Sequence, residues 1–123
     1  MKIAITVCDN QGIESEVNSR FGRAPYIAII DTETEELEFI DNSARGETGG
    51  AGIKAAQTIV DHGVDTLITA NLGPKAFSAL QAADLKLIKF DNKGTIKEAV
   101  DNLDQGNLNE FSSPTNNGHP GTK

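Results

Sequence analysis

Gly49-Gly50-Ala51-Gly52-Ile53-Lys54-Ala55-Ala56-Gln57-Thr58-Ile59-Val60 sets three glycines in four residues directly ahead of a helix-forming run. Glycine lets the backbone take positive φ and approach a neighbour closely. The helix that follows turns its first unpaired N–H groups back into the loop, and its dipole makes that end electropositive. Such an end favours an anion. Ile53, Ala56 and Val60, at i, i+3 and i+7, are the expected core face of a helix over residues 51–62, with Gly63 placed to end it. A strand pattern at 64–69 leads to a second junction, Thr69-Ala70-Asn71-Leu72-Gly73-Pro74. The helix beyond it carries Pro74 in its first turn, where a missing N–H costs least, and Phe77 and Leu80 as core contacts. The two junctions, with nearby arginines, read as one anion-accepting crevice.

Before the glycine stretch, residues 2–8 read as a central strand. Ile3, Ile5 and Val7 face one side and Ala4, Thr6 and Cys8 the other. Residues 9–24 form a long loop without a clear period, of a length that is often functional. Residues 26–31 and 36–41 make an antiparallel hairpin, with Leu37 and Phe39 alternating with Glu36 and Glu38 on a half-exposed outer strand. After the second junction come a shorter strand at 86–90 and a helix opened by a capping box, Thr95 with Glu98. Ile96, Ala99, Val100 and Leu103 form its apolar stripe, and Gly106 ends it. Leu108 and Phe111 are expected to dock the exit segment. The order β-β-β-α-β-α-β-α predicts a mixed α/β sheet with helices on both faces. Ligands in such sheets sit beyond the carboxyl ends of the parallel strands, which here collects Cys8, Asp9, the glycine loop and residues 71–74.

The 123 residues suffice for one domain, expected over 1–111, while 112–123 carry too little apolar surface to offset ordering entropy and are expected to be a disordered tail. The balance of 24% charged and 37% hydrophobic residues is globular, and the apolar runs are too short to span a membrane. Met1-Lys2 leads straight into a strand with no signal-peptide core, and one cysteine cannot close an internal disulfide, so a reducing cytoplasm is expected. A net charge of −7 argues against nucleic-acid or anionic-membrane partners. The three arginines, Arg20, Arg23 and Arg45, all precede the glycine loop. Asp31, Glu33, Glu35, Glu36, Glu38 and Asp41 gather on the hairpin as a solvated edge, which favours a monomer.

Three segments in this order and spacing carry a family resemblance: Ser19-Arg20-Phe21-Gly22-Arg23-Ala24-Pro25-Tyr26, Gly49-Gly50-Ala51-Gly52-Ile53 and Asn71-Leu72-Gly73-Pro74-Lys75-Ala76-Phe77. Over roughly residues 1–111 the chain resembles the nitrogenase iron–molybdenum cofactor biosynthesis family (NifX-like), which includes orange-protein-type Mo–Cu cluster binders. The resemblance implies a ribonuclease-H-like motif, a five-stranded mixed sheet of order 3-2-1-4-5 with strand 2 antiparallel. It also implies a non-catalytic role in binding or carrying a metal–sulfur cluster (Mo/Fe or Mo/Cu) between donor and acceptor proteins. Cofactor-carrying members often have a histidine where this chain has Arg20. A guanidinium has no lone pair for a metal, but it holds an anionic cluster by charge-assisted hydrogen bonds.

The candidate cluster-binding residues are therefore Arg20, Arg23, Gly49, Gly50, Ala51, Gly52, Asn71, Leu72 and Gly73, with Cys8 as a candidate metal ligand. Bland readings stand beside these: the glycine loop as a tight turn, the arginines as surface charges, and Cys8 as a small packing residue rather than a soft-metal thiolate. The loop matches neither G-x-x-x-x-G-K-[ST] nor G-x-G-x-x-G, which weakens a nucleotide reading. His62 is expected at the negative end of its helix, and His119 lies in the tail. Asp9 and Asp31 raise a divalent-metal nuclease, but a hairpin antiparallel to the first strand puts them at opposite ends of the sheet. The alternative from another class is a regulatory or interaction module taking a small anion or a protein at the same crevice.

Overall fold

A computed structural model of the chain describes residues 1–18, 20–42, 50–90 and 94–114. Six strands form one sheet: β1 (Lys2–Val7), β2 (Tyr26–Asp31), β3 (Glu36–Asp41), β4 (Thr66–Thr69), β5 (Lys86–Lys89) and β6 (Asn109–Glu110). Their order is β3-β2-β1-β4-β5-β6. β1, β4 and β5 are parallel, whereas β2 is antiparallel to both β1 and β3. The expected order of five strands is present, but the sheet has six, because β6 adds antiparallel to β5. Two polar residues carry no alternation to read. Their place is fixed by flanking Leu108 and Phe111, which pack on opposite core clusters, and by the Phe111 N–H bonding to the Leu87 carbonyl at 2.8 Å.

The helices α1 (Ala51–Asp61) and α2 (Pro74–Ala82) cover one face of the sheet and α3 (Ile96–Asp104) the other. Ile3, Ile5 and Val7 of β1 pack with Ile96 and Ala99 of α3, while Ala4 faces the α1–α2 side. A strand buried on both faces reads as a continuous apolar run, as β1 does. The core face of α1 differs from the expected Ile53, Ala56 and Val60. Its buried residues are Ala51, Ala55, Ala56 and Ile59, and Ile53 and Val60 are exposed. Apolar residues occupy both faces of this helix, so periodicity does not separate them. Packing does: the small alanines let α1 approach its neighbours, and a Cβ on Gly52 would lie only 3.3 Å from the Ala76 Cβ of α2.

The stretch before β2 is less loose than a period-free loop implies. It holds 3₁₀ turns at Gly12–Glu14 and Phe21–Arg23 and isolated bridges Val7–Val17, Glu16–Thr95 and Arg20–Asn71. Buried Asn42 fixes its far end, donating through Nδ2 to the Ala24 carbonyl at 2.9 Å. The tail at 115–123, with His119, and the residues Arg45 and Gly49 lie outside the described residues.

Candidate functional site: an anion crevice at the helix starts

At the end of the sheet where β1 and β4 finish, residues 20–23, 50–53 and 71–76 enclose a crevice of ≈ 820 Å³. Three separate stretches of chain meet there, and each is held by the backbone. The parallel bridge between Arg20 and Asn71 ties the arginine turn to the second junction. Asn18 positions that turn: its Oδ1 accepts from the Arg20 N–H at 2.8 Å, and its own carbonyl accepts from the Thr6 hydroxyl at 2.8 Å. Thr6 in turn lies 3.0 Å from the Thr69 hydroxyl, joining the ends of β1 and β4.

Gly22 closes the gap between the arginine turn and α1. A Cβ there would sit 3.1 Å from the Gly52 nitrogen, tighter than nine in ten real contacts, so the two backbones approach without side chains between them. Gly50 has φ 75°, a left-handed conformation that favours glycine, and it turns the chain into the first residue of α1.

Both helices that face the crevice begin on glycine, Gly50 for α1 and Gly73 for α2, and neither has a side-chain cap. The Lys54 N–H is the first of α1 to reach back, to the Gly50 carbonyl at 3.0 Å, and the Phe77 N–H does the same to Gly73 at 2.9 Å. The amides of Ala51, Gly52 and Ile53, and of Lys75 and Ala76, have no hydrogen-bond partner among the described residues. The start of α3 is different: Thr95 accepts from the Glu98 N–H and Glu98 accepts from the Thr95 N–H. Among the described residues, one helix start is closed by side chains and two are left open on one cavity.

The charges agree with the dipoles. Arg20, Arg23 and Lys75 line the crevice and, among the described residues, no Asp or Glu does, in a chain of net charge −7. Among the described residues no carboxylate pairs with the Arg20 guanidinium or the Lys75 ammonium. Of the sequence candidates, Arg20, Arg23, Gly50, Ala51, Gly52, Asn71, Leu72 and Gly73 come together here. Gly49 lies outside the described residues. Lining residues that the sequence reading did not name as site candidates include Lys75 and Ile53, the latter expected in the core. Lys75 follows Pro74 in the first turn of α2, a position whose direction becomes readable only once the two junctions share a rim.

Cys8 is exposed at the end of β1 and does not line the crevice. Asn18 Nδ2 donates to its Sγ at 3.4 Å, so Asn18 links the thiol to the arginine turn. Asp9 has an enclosed Oδ1 without a hydrogen-bond partner among the described residues. Asp31 pairs with Lys2 at the far end of β1, which separates it from Asp9, and no cluster of three potential metal-ligating side chains occurs among the described residues. His62 caps α1 as expected: its Nδ1 is 2.8 Å from the Thr58 carbonyl, which can only accept, so Nδ1 carries the proton. No helix among the described residues is long and apolar enough to cross a membrane.

Known proteins extend this description. The sequence pattern of the dinitrogenase iron–molybdenum cofactor family matches residues 1–106. The chain belongs to that family. All three walls of the crevice lie within the matched region. An uncharacterized protein of Methanocaldococcus jannaschii is 32% identical to this family member over 114 residues, covering 90% of this chain and 92% of the other. The apo form of the orange protein from Desulfovibrio gigas is similar in structure with a TM-score of 0.89 and 35% identity, over 94% of this chain and 96% of that one. A putative NifB protein from Thermotoga, assigned to the DUF35 family, aligns with a TM-score of 0.82 and 37% identity, over 95% and 98% of the two chains.

Proposed function

We propose that this protein binds and carries an anionic metal–sulfur cluster of the iron–molybdenum precursor or Mo–Cu sulfide type, without turning it over. The observation that carries the reading is the pair of helix starts without a side-chain cap, opening on one cavity lined by Arg20, Arg23 and Lys75 and, among the described residues, by no carboxylate. Membership of the dinitrogenase iron–molybdenum cofactor family and likeness to the orange protein support the choice of cargo. The cluster is the cargo rather than a resident cofactor. Backbone N–H groups and guanidinium donors hold an anion by charge-assisted hydrogen bonds, each modest and reversible. A carrier must give up what it holds, and donors of this kind release a cluster to an acceptor protein without breaking a metal–thiolate bond.

The test is anaerobic reconstitution of the purified chain with thiomolybdate and either iron or copper, followed by elemental analysis and a visible spectrum. Stoichiometric metal uptake, with absorption bands absent from the cluster in buffer, is expected. Protein that stays colourless and metal-free under both conditions, while nucleotides raise its melting temperature, would replace the carrier by a regulatory module at the same crevice.

A further inference from the structure

Large apolar side chains left in solvent are few among the described residues: Met1, Ile13, Ile53 and Val60. Of these, only Ile53 lines the crevice, at 44% exposure. Core packing does not require it, because α1 is seated on the sheet through Ala51, Ala55, Ala56 and Ile59. Its position is also unusual. Counting from Gly50 as N-cap, Ile53 is the third residue of α1, where α3 has Glu98 closing a capping box. A carboxylate there satisfies an open amide and repels an anion; a branched hydrocarbon does neither.

We infer that Ile53 is a selectivity residue, setting the crevice to take weakly hydrated, sulfide-bearing anions in preference to hard oxyanions of the same charge and shape. This rests on the anion-crevice reading above and adds what the cations alone do not supply. Arg20, Arg23 and Lys75 attract any anion. An oxyanion set against Ile53 gives up tightly held water and receives no hydrogen bond in return on that side. Sulfur is a weak acceptor and loses little on meeting hydrocarbon. Pockets that combine apolar walls with a few polar groups orient and discriminate in this way, and a feature that penalises the wrong ligand is as effective as one that rewards the right one.

Tetrathiomolybdate and molybdate are a matched pair, both tetrahedral dianions. Anaerobic titration of each into the full chain, with protein–anion binding read by calorimetry, gives a ratio of dissociation constants. The wild type is expected to favour tetrathiomolybdate by at least about tenfold, roughly 1.4 kcal/mol. Ile53→Thr and Ile53→Asn should lower that ratio several-fold, and Ile53→Leu should keep it. A wild-type ratio near one, or the same ratio in all four proteins, overturns the inference. Arg20→Ala and Lys75→Ala separate its failure from failure of the site. They should weaken both anions alike; if neither changes either affinity, the crevice reading falls and the role of Ile53 with it.

Discussion

Arg20 and Lys75 line the crevice from two different stretches of chain, one in the 3₁₀-flanked turn before β2 and the other in the first turn of α2. Hydrogen bonds to charged groups contribute roughly 1.5–3 kcal/mol, so Arg20→Ala or Lys75→Ala should each weaken thiometallate binding by about tenfold or more in calorimetric titration. Arg20→Lys should recover only part of the loss, because an ammonium lacks the forked donors of a guanidinium. Gly22 acts by what it lacks. Gly22→Ala puts a methyl carbon 3.1 Å from the Gly52 nitrogen, and backbone does not yield as a flexible side chain does. Overpacking of this kind costs about 1–3 kcal/mol, visible as a lower midpoint in urea unfolding, and binding should weaken with it as the arginine turn is pushed from α1. Arg20, Gly50 and Gly73 were legible in the sequence because each carries its meaning in its own chemistry. Ile53 was misread as core because an isoleucine at the right helical phase looks the same whether it meets a sheet or a cavity.

Among elements, the two strand–loop–helix junctions were readable because glycine loops and the proline in α2 mark helix starts locally. The capping box of α3 was equally local. Thr95→Ala should cost about 1 kcal/mol of stability by denaturant titration, and it should leave anion binding unchanged, since this helix covers the opposite face. The phase of α1 and the strand β6 were not legible, because both depend on partners far away in sequence. The hairpin turn supplies a pH-dependent test. Asp31 Oδ1 accepts from the Glu33 N–H at 2.9 Å and, more weakly, from Thr34 at 3.4 Å, and the first of these backbone bonds is the main cause holding its carboxyl below the ordinary value of 3.8. A carboxyl depressed in the folded state binds protons more weakly there than in the unfolded chain. Its stabilisation is therefore full above pH 3.8 and is lost as pH falls through the lower folded value. Asp31→Ala should remove that part of the acid dependence when unfolding is followed from neutral pH to about pH 2.

Across the whole molecule, a chain of net charge −7 presents a crevice lined by Arg20, Arg23 and Lys75 and by no carboxylate among the described residues, and the turn acids Glu33 and Glu35 lie at the other end of the β1–β2 pair. Net charge and local field therefore predict opposite responses to salt. If the overall negative charge governed anion capture, screening would strengthen binding; if Arg20, Arg23, Lys75 and the open helix starts govern it, screening weakens binding. The affinity for tetrathiomolybdate should fall as ionic strength rises from about 0.01 to 0.3 M, with the Debye length shrinking from roughly 30 Å to several Å. The measurement that tests the central claim most directly is a ¹⁵N–¹H NMR titration of the labelled chain with tetrathiomolybdate under anaerobic conditions. The largest amide shifts should fall on Ala51, Gly52, Ile53, Lys75 and Ala76, with the Thr95–Glu98 start of α3 unmoved. Shifts centred on Cys8 or on the hairpin, or none at saturating anion, would contradict it.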